Sequence, residues 1–243
     1  MKKIATLFSI LIFMGMEISA QSQFRFGFQL SPNFTWISNQ DQGINGNGSN
    51  LGLKLGVIGE KFFAANDSYS FSFGIGFAFN QGGTLRHDVG GDFWPNSLNE
   101  TDVRRSLPDG VNLKYGVQYI EIPLGLKMRT QEFGYFRYYI EPGFTLGLKT
   151  QARGTISSAG ELNVDDLPIK KDVNFINLSW GIGGGVEYTV GESTAIIGGL
   201  SFQSGFLDIT DNDATTKPAG QEPQAEDSKA TIKSLTIRLG VMF

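Results

Sequence analysis

The last nine residues of the chain, LTIRLGVMF at positions 235–243, decide its fold. Apolar side chains occupy every second position from Leu235 to Phe243, and Thr236, Arg238 and Gly240 are among the residues between them. Strict alternation places all the apolar side chains on one face of a β-strand. A strand with one large apolar face and one small or polar face is typical of a transmembrane β-barrel, whose wall meets lipid outside and a polar lumen inside.

The same alternation recurs in seven upstream segments, which cover residues 24–36, 50–62, 69–80, 115–129, 135–149, 175–188 and 194–206. Each segment reaches the roughly 9–11 residues that a tilted membrane strand requires. Together with residues 235–243 they predict an all-β chain forming an eight-stranded antiparallel up-and-down transmembrane β-barrel. Pro32 lies near the middle of the first segment and predicts a bulge or a break there, because proline cannot donate to the ladder.

The connections between these segments alternate between short and long. Links two, four and six are a few residues each, around positions 64–68, 130–134 and 190–193. Links one, three, five and seven are long and polar, around positions 38–49, 81–114, 150–174 and 207–230. Outer-membrane barrels have short periplasmic turns and longer surface loops. We therefore expect the chain to lie in the cell outer membrane, with both termini periplasmic and the long loops extracellular.

The N-terminal residues 1–20 have the features of a secretory signal peptide. Lys2 and Lys3 precede an apolar run, residues 4–16, that is too short to span a bilayer, and Ala20 precedes the expected cleavage site. Residues 21–243 fit one barrel domain. The chain has no cysteine, so we expect neither disulfides nor a lipoprotein anchor. The net charge of −4 argues against nucleic acid as a partner.

A soluble, lipocalin-like barrel is the main alternative fold, since it also has eight up-and-down strands. Its apolar side chains would point inward and its polar side chains would meet water. The polar positions of this chain, however, are mostly Gly, Ser and Thr rather than the dense Lys and Glu of a solvated surface. Small side chains suit a crowded interior, which favours the membrane barrel.

A family resemblance appears at the fourth segment, where residues 119–129 read YIEIPLGLKMR. This stretch resembles the most repeated motif of the PorT-like outer-membrane β-barrel family of Bacteroidota, and the likeness covers residues 21–243. The resemblance implies an eight-stranded barrel inserted by the barrel-assembly machinery, which would recognise a terminal strand ending in an aromatic residue, here Phe243. It also implies an accessory role in a secretion system as an alternative function.

The predicted lumen-facing positions carry charges of both signs: Arg25, Lys54, Glu121, Lys127, Arg137, Glu141, Lys149, Glu187 and Arg238. Buried charges must be paired and hydrogen-bonded, and an eight-stranded barrel is only wide enough for side chains to fill it. We therefore expect an ion-pair network that plugs the lumen. The alternative is a narrow ion pathway between the same groups, which would make the protein a small passive pore.

The long third link carries Phe93, Trp94 and Pro95 among polar residues. Aromatic side chains in a surface loop can anchor a ligand or a partner. They can equally fold back over the barrel mouth as a lid, which is the interpretation we favour.

Catalytic and metal-binding residues are weakly indicated. A lipid-modifying enzyme would need a base beside a nucleophile, and the only histidine, His87, shares its loop with Asp88 and Ser106. The acidic seventh link could hold Ca²⁺ but does not match an EF-hand, so we expect a solvated loop. The glycines at 181 and 183–185 lack the Lys-Ser/Thr ending of a phosphate loop.

The sequence therefore predicts a non-enzymatic barrel with a mostly plugged lumen and no cofactor or metal. Its expected role is structural or binding, through long surface loops. The expected partners are outer-membrane lipid, lipopolysaccharide, the barrel-assembly machinery and an unidentified surface ligand or protein.

Overall fold

The computed structural model describes residues 24–39, 43–63, 67–98, 106–158, 163–211, 213–218 and 220–243. The predicted signal peptide, residues 1–20, lies outside the described residues and stays a prediction. No helix in the described ranges is long and apolar enough to cross a membrane.

Eight long antiparallel strands form a closed barrel, which confirms the predicted fold class. They are β1 (Phe24–Asn39), β2 (Ile44–Phe62), β3 (Tyr69–His87), β5 (Val111–Arg129), β6 (Phe136–Ser157), β8 (Ile176–Thr189), β9 (Ala195–Gly205) and β12 (Ala230–Met242). Each pairs with its neighbours along the chain, and β1 pairs with β12 to close the wall. The ladder between β1 and β12 stops at Gln29 and resumes at Asn33, an interruption that contains Pro32.

Four short strands and two short helices lie in the connections between the eight long strands. They are β4 (Gly91–Asp92), β7 (Asn163–Pro168), β10 (Thr215–Thr216), β11 (Gln224–Ala225), helix α1 (Pro95–Leu98) and a 3₁₀ helix (Lys170–Asp172). β4, β10 and β11 form a small sheet, whereas β7 extends the wall beyond β6. The described parts of the predicted long links three, five and seven therefore contain secondary structure.

The outward face of the wall is an apolar belt, because the large side chains predicted to meet lipid are exposed. Its members include Phe26, Phe28, Leu51, Phe71, Ile75, Phe77, Leu124, Phe144, Trp180, Ile182, Leu200, Leu235 and Leu239. The alternating small residues face inward, where neighbouring strands approach them closely; a Cβ at Gly125, for example, would lie 2.6 Å from the Ser72 Oγ. Wide exposure of such side chains is expected when their solvent is lipid rather than water.

Two β-bulges extend the strands beyond the predicted ends at Asn80 and Lys149. Between β3 and β5 the pairing jumps from Ala78–Tyr119 to Gln81–Val117, and Asn80 there has a positive φ of 55°. A matching irregularity in β6 leaves Thr150 unpaired. Each bulge shifts the inward-facing positions by one residue along its strand. Beyond the bulges, β3 continues to His87 and β6 to Ser157.

The first link was also predicted too long. Residues 38–49 were expected to form a loop, but β1 runs to Asn39 and β2 begins at Ile44. The polar residues of this region, such as Asn45 and Asn47, lie in a strand and bond to Asp88 and Asn112 on neighbouring segments. Polar outward side chains beyond the apolar belt indicate that the strands project past the bilayer on this side.

The two ends of the barrel differ in chemistry. We call the end that holds Phe24 and Phe243 the termini end, and the opposite end the loop end. At the loop end the interior contains an apolar core, which includes Ile37, Leu85, Phe93, Trp94, Leu98, Val111, Leu113, Ile156, Ile169 and Ile209. Toward the termini end the interior is lined by charged and polar side chains. The lumen is thus divided into an ionic half and an apolar half.

Candidate functional site in the barrel lumen

An ionic cluster fills the lumen near the termini end. It consists of Glu60 on β2, Lys127 and Arg129 on β5, and Glu187 on β8. The Lys127 Nζ lies 2.7 Å from Glu60 Oε1, and the Arg129 Nε lies 2.9 Å from Glu187 Oε1. Lys127 also pairs with Glu187, and Arg129 with Glu60. Each cation therefore contacts both anions, and we refer to these four residues as the ionic cluster.

The ionic cluster is fully buried and well partnered. The side chains of its four members are only 0–3% exposed. Arg129 also donates to the Ser70 hydroxyl at 2.9 Å and lies over the Phe62 ring, 4.9 Å from its centroid. Lys127 lies 4.3 Å from the centroid of Tyr139. Buried charges are tolerated only when both partners and the remaining donors are satisfied, and this geometry meets that condition.

Arg25 extends the ionic cluster toward the termini end. Its guanidinium lies 3.3 Å from Glu187 and is partly exposed. The ionic cluster itself has two cations and two anions, so Arg25 brings an additional positive charge to this region.

Two further ion pairs lie toward the middle of the barrel. Arg238 bonds to Glu141 at 2.7 Å, and Ser72 donates to the same carboxylate at 2.8 Å. Lys54 lies 2.9 Å from Glu121. The Lys54 ammonium also donates to Gln203 at 2.7 Å, and that side chain in turn donates to Thr145. Polar contacts therefore cross the lumen at several heights.

A cavity of about 100 Å³ lies among these middle pairs. Its lining includes Lys54, Glu121, Glu141, Arg238 and Gln203. A volume of this size holds only a few water molecules, each of which occupies about 30 Å³ in the liquid. Glu60 of the ionic cluster also lines the cavity.

The structure brings together seven of the nine lumen charges proposed from sequence: Arg25, Lys54, Glu121, Lys127, Glu141, Glu187 and Arg238. Sequence reasoning missed Glu60 and Arg129. Both continue the inward alternation of their strands, Glu60 three steps beyond Lys54 and Arg129 one step beyond Lys127. Extending the alternation to the strand ends would have found them.

Arg137 and Lys149 correct the predicted network. Arg137 lies opposite Glu187 in the β6–β8 register, but it bonds to Glu132 at 3.2 Å, in the turn that precedes β6. Lys149 lies beside the β6 bulge and donates to the carbonyls of Lys170 and Val173. Its ammonium is therefore bound by backbone oxygens below the 3₁₀ helix rather than by a carboxylate.

The third connection folds into the loop end. Phe93 and Trp94 are almost fully buried, and the Trp94 Nε1 donates to the Tyr115 hydroxyl at 3.1 Å. Gly154 on β6 leaves the space that the indole occupies, since a Cβ there would lie 2.6 Å from the ring. These aromatic side chains are thus part of the interior and are not exposed anchors.

His87 lies buried beneath this segment. Its ring centroid is 4.0 Å from that of Phe93, and neither ring nitrogen has a hydrogen-bond partner among the described residues. Burial lowers the pKa of His87 to about 4. Ser106 and Asp88 are exposed, whereas the imidazole is enclosed. A base hydrogen-bonded to a nucleophile is therefore absent from the described part of this loop.

Carboxylates of the last connection pack against helix α1. The Asn96 side chain donates to Asp211 at 3.2 Å and to Asp213 at 2.9 Å, and its backbone N–H donates to Asp172 at 2.9 Å. Burial, followed by the nearby charge of Asp172, raises the pKa of Asp211 to about 6. The predicted solvated loop is therefore partly packed. No three His, Asp or Glu side chains in the described ranges converge as metal ligands.

Comparison with known proteins finds no match among curated proteins. Among solved structures, Neisserial surface protein A is 10% identical, with a TM-score of 0.44 and coverage of 91% of this chain and 96% of that chain. OprG from Pseudomonas aeruginosa is 12% identical, with a TM-score of 0.44 and coverage of 90% and 95%. The outer membrane protease OmpT from Escherichia coli is 9% identical, with a TM-score of 0.42 and coverage of 94% and 99%.

The family of the chain follows from its sequence match. Residues 19–211, most of the chain, match the family described as "Outer membrane protein beta-barrel domain". The match agrees with the closed eight-stranded wall, the apolar belt and the polar lumen. The chain therefore belongs to the outer membrane protein β-barrel domain family and is an outer-membrane protein.

Proposed function

We propose that this protein is a non-enzymatic outer-membrane barrel whose lumen is closed at two levels, and whose loop end presents a binding surface outside the cell. The observation that carries the proposal is the ionic cluster, in which four charges with 0–3% exposed side chains cross the lumen. The buried core around Trp94 supports closure at the other level. A barrel whose lumen is closed at two levels serves as a scaffold rather than as a path for solute.

The proposed orientation places the termini end in the periplasm and the loop end outside. The turns at the termini end are short, and the connections at the loop end carry the additional strands and helices. This asymmetry is typical of outer-membrane barrels. Insertion by the assembly machinery would use Phe243, which follows β12 and pairs through its backbone with Phe26. Residues 119–129 resemble the PorT-like family, so the proposal includes an accessory role in a secretion system. Identification of a binding partner from such a system would test this role.

Single-channel conductance of the refolded protein in a planar bilayer tests the proposal. A heat-dependent change of mobility in gel electrophoresis first establishes that the barrel has folded. We expect no discrete openings from the wild-type protein. Reproducible openings in folded wild-type protein would refute the two-level closure.

A small pore is the second candidate, and the cavity of about 100 Å³ is the observation that favours it. If the ionic cluster rearranges, Lys54, Glu121, Glu141 and Arg238 would line the resulting path. Replacing Glu141 with Gln would then change ion selectivity. If the barrel is closed, neither the wild type nor Glu141→Gln will show channel openings.

A lipid-modifying enzyme is a third candidate, and the surroundings of His87 weigh against it. Mass spectrometry of lipid A from cells that express the protein tests this candidate directly. We expect unchanged lipid A. A modification that disappears in His87→Ala would refute the non-enzymatic part of the proposal.

A further inference from the structure

The outward surface of the wall changes abruptly from apolar to basic on one side of the barrel. On β3, β5 and β6 the apolar belt ends near Phe77, Ile120 and Leu148, which are aligned in register. Beyond these positions the three strands continue toward the loop end as residues 81–87, 111–118 and 150–157. These segments contain Arg86, Lys114 and Arg153 and no Asp or Glu. We call the three cations the outer basic patch.

The register places the three cations next to one another. Lys114 lies directly opposite Thr84 on β3 and Thr155 on β6. Arg86 and Arg153 therefore occupy positions diagonal to Lys114, where Cα atoms of adjacent strands lie roughly 7–8 Å apart. Long basic side chains at this spacing can reach a single anion.

A glycine lies between the two best-placed cations. Gly116 shares the outward face with Lys114 and pairs directly with Arg153. The Asn80 side chain from β3 covers this glycine, since a Cβ there would lie 2.9 Å from the Asn80 Oδ1. Thr155, opposite Lys114 on β6, adds a hydroxyl group. The two cations are therefore bordered by the Asn80 amide and the Thr155 hydroxyl.

The charges of the patch are available to an external anion. Lys114 is exposed and makes no hydrogen bond or ion pair with any other described residue. Arg153 bonds to both the carboxylate and the carbonyl of Asp166 at 3.1 Å, with side chains that are 44% and 75% exposed. Arg86 lies 3.8 Å from Asp88, also at the surface. Exposed ion pairs contribute only about 0–1 kcal/mol, so an incoming phosphate can replace the carboxylate.

The height of the patch matches the headgroup region of a bilayer. Gly116 lies four residues beyond Ile120, the last apolar outward residue of β5. At about 3.3 Å per residue and a tilt of about 40°, this separation corresponds to roughly 10 Å along the barrel axis. A lipid whose acyl chains cover Phe77, Ile120 and Leu148 would therefore bring its phosphate to Lys114 and Arg153.

We infer that Lys114 and Arg153, with Arg86 beside them, form a binding site for the phosphate of a lipid in the outer leaflet, namely lipopolysaccharide. The inference rests on the proposed function, because the loop end must face outward for this lipid to reach the patch. The acyl chains pack on the apolar belt of β3, β5 and β6, and the phosphate binds the two cations. The site deepens the proposed role of the loop end by assigning it a ligand.

Native mass spectrometry in detergent tests the site by measuring the affinity for purified lipid A. We expect one lipid to bind the wild-type protein. The double variant Lys114→Gln/Arg153→Gln should bind it about 30-fold more weakly, since each basic contact to an anionic lipid contributes about 1 kcal/mol. Lipid A without phosphates should bind the wild-type protein as weakly as phosphorylated lipid A binds the double variant. The matched control, Lys61→Gln/Lys217→Gln, removes the same charge from exposed positions elsewhere and should bind normally.

Three results would overturn the site. They are equal binding of phosphorylated and dephosphorylated lipid A, equal loss of affinity in the test and control variants, and full displacement of the lipid by millimolar inorganic phosphate. The last result would mean that the patch takes free anions rather than a lipid. The heat-dependent gel shift of each variant establishes that the barrel is intact.

A labelling experiment separates failure of the site from failure of the proposed orientation. Asn112→Cys lies on the outward face of β5 beyond Lys114, and the chain has no other cysteine. We expect an impermeant maleimide to label this variant in intact cells. Absence of labelling would overturn the orientation and the outer-leaflet assignment together. Normal labelling combined with lost lipid A selectivity would overturn the site alone.

Discussion

Glu60 and Lys127 form a 2.7 Å ion pair between two strands that are not neighbours in the wall. Glu60 lies on β2 and Lys127 on β5, and β3 separates them. The pair therefore links the strands through the lumen rather than along the sheet. Glu187 extends the link to β8, so the ionic cluster connects three strands distributed around the barrel. Its removal should affect the whole barrel.

Replacing Glu187 with Gln should destabilise the protein strongly. Lys127, Arg129 and Arg25 would lose a shared anion, and buried charges left without a partner cost about 3–5 kcal/mol. Urea unfolding in lipid vesicles measures the change. Glu132→Gln is the matched control, because it affects only the partly exposed contacts with Arg137 and the Thr189 hydroxyl and should cost about 0–1 kcal/mol. Similar losses in both variants would contradict the importance of the cluster.

Gly154→Ala should displace Trp94 from the loop-end core. The added Cβ would lie 2.6 Å from the indole ring, which is rigid and cannot yield locally. We expect a loss of about 1–3 kcal/mol, as for other overpacked sites. Quenching of the Trp94 fluorescence by acrylamide, with the other tryptophans replaced by Phe, reports its exposure. The double variant Gly154→Ala/Trp94→Leu should lose less stability than the sum of the losses in the two single variants. Losses that are strictly additive would disprove the contact.

Acid should open the region around His87, because its pKa is lowered to about 4 by burial. A lowered histidine pKa means that the neutral form is favoured in the closed structure, so stability is lost as pH falls below the ordinary value of about 6.5. The loss reaches about 3 kcal/mol near pH 4. Hydrogen exchange of Val111 and Leu113 across this range measures it. His87→Phe, which keeps the contact with Phe93, should remove the dependence; an unchanged profile would refute this assignment.

Asp211 should have the opposite pH dependence. Its pKa is raised to about 6, so the closed structure favours the protonated acid and gains stability as pH falls through 6. Asp211→Asn should therefore stabilise the packing of Asn96 at pH 7, by about 1 kcal/mol after allowance for partial exposure. Limited proteolysis of the last connection at pH 5 and 7 compares the variant with the wild type. His87 is the same in both proteins, so an identical pH dependence of protection in the variant and the wild type would contradict the shift of Asp211.

Removal of Phe243 should reduce insertion into the outer membrane. Its ring contacts Phe28 edge to face, 6.5 Å between centroids, and its backbone pairs with Phe26. Fractionation of cells that express the truncated chain measures the inserted amount. Phe243→Tyr keeps the aromatic ring and should insert normally. Normal insertion of the truncated chain would show that the terminal aromatic is dispensable.

The sequence predicted the membrane-spanning part of the fold because one periodicity governs it. Alternation from Phe71 to Phe79 identifies both the strand and its lipid face without reference to the rest of the chain. The predicted strands β3 and β6 stopped at the bulges at Asn80 and Thr150, because each bulge shifts the alternation by one residue. Strand continuations such as residues 81–87 then appear as loop, since their alternation is out of phase with the part before them.

The ionic cluster was partly predictable for a related reason. Inward charges could be assigned from alternation, but their pairing depends on the register between strands and on the diameter of the lumen. Arg137 and Lys149 share the inward face with Glu141 and yet do not join the cluster. Arg137 is the register partner of Glu187 but pairs with Glu132, and Lys149 binds backbone carbonyls. The loop-end core, which includes Trp94 and Ile169, depends on contacts between connections far apart in sequence.

The bulge at Asn80 separates two stretches of β3 that can change independently over evolutionary time. An insertion or deletion of one residue within an unbroken strand would turn every later side chain to the wrong face of the wall. A bulge can instead absorb such a change locally. The loop-end part of β3 can therefore gain or lose residues while the lipid-facing side chains of the wall keep their places.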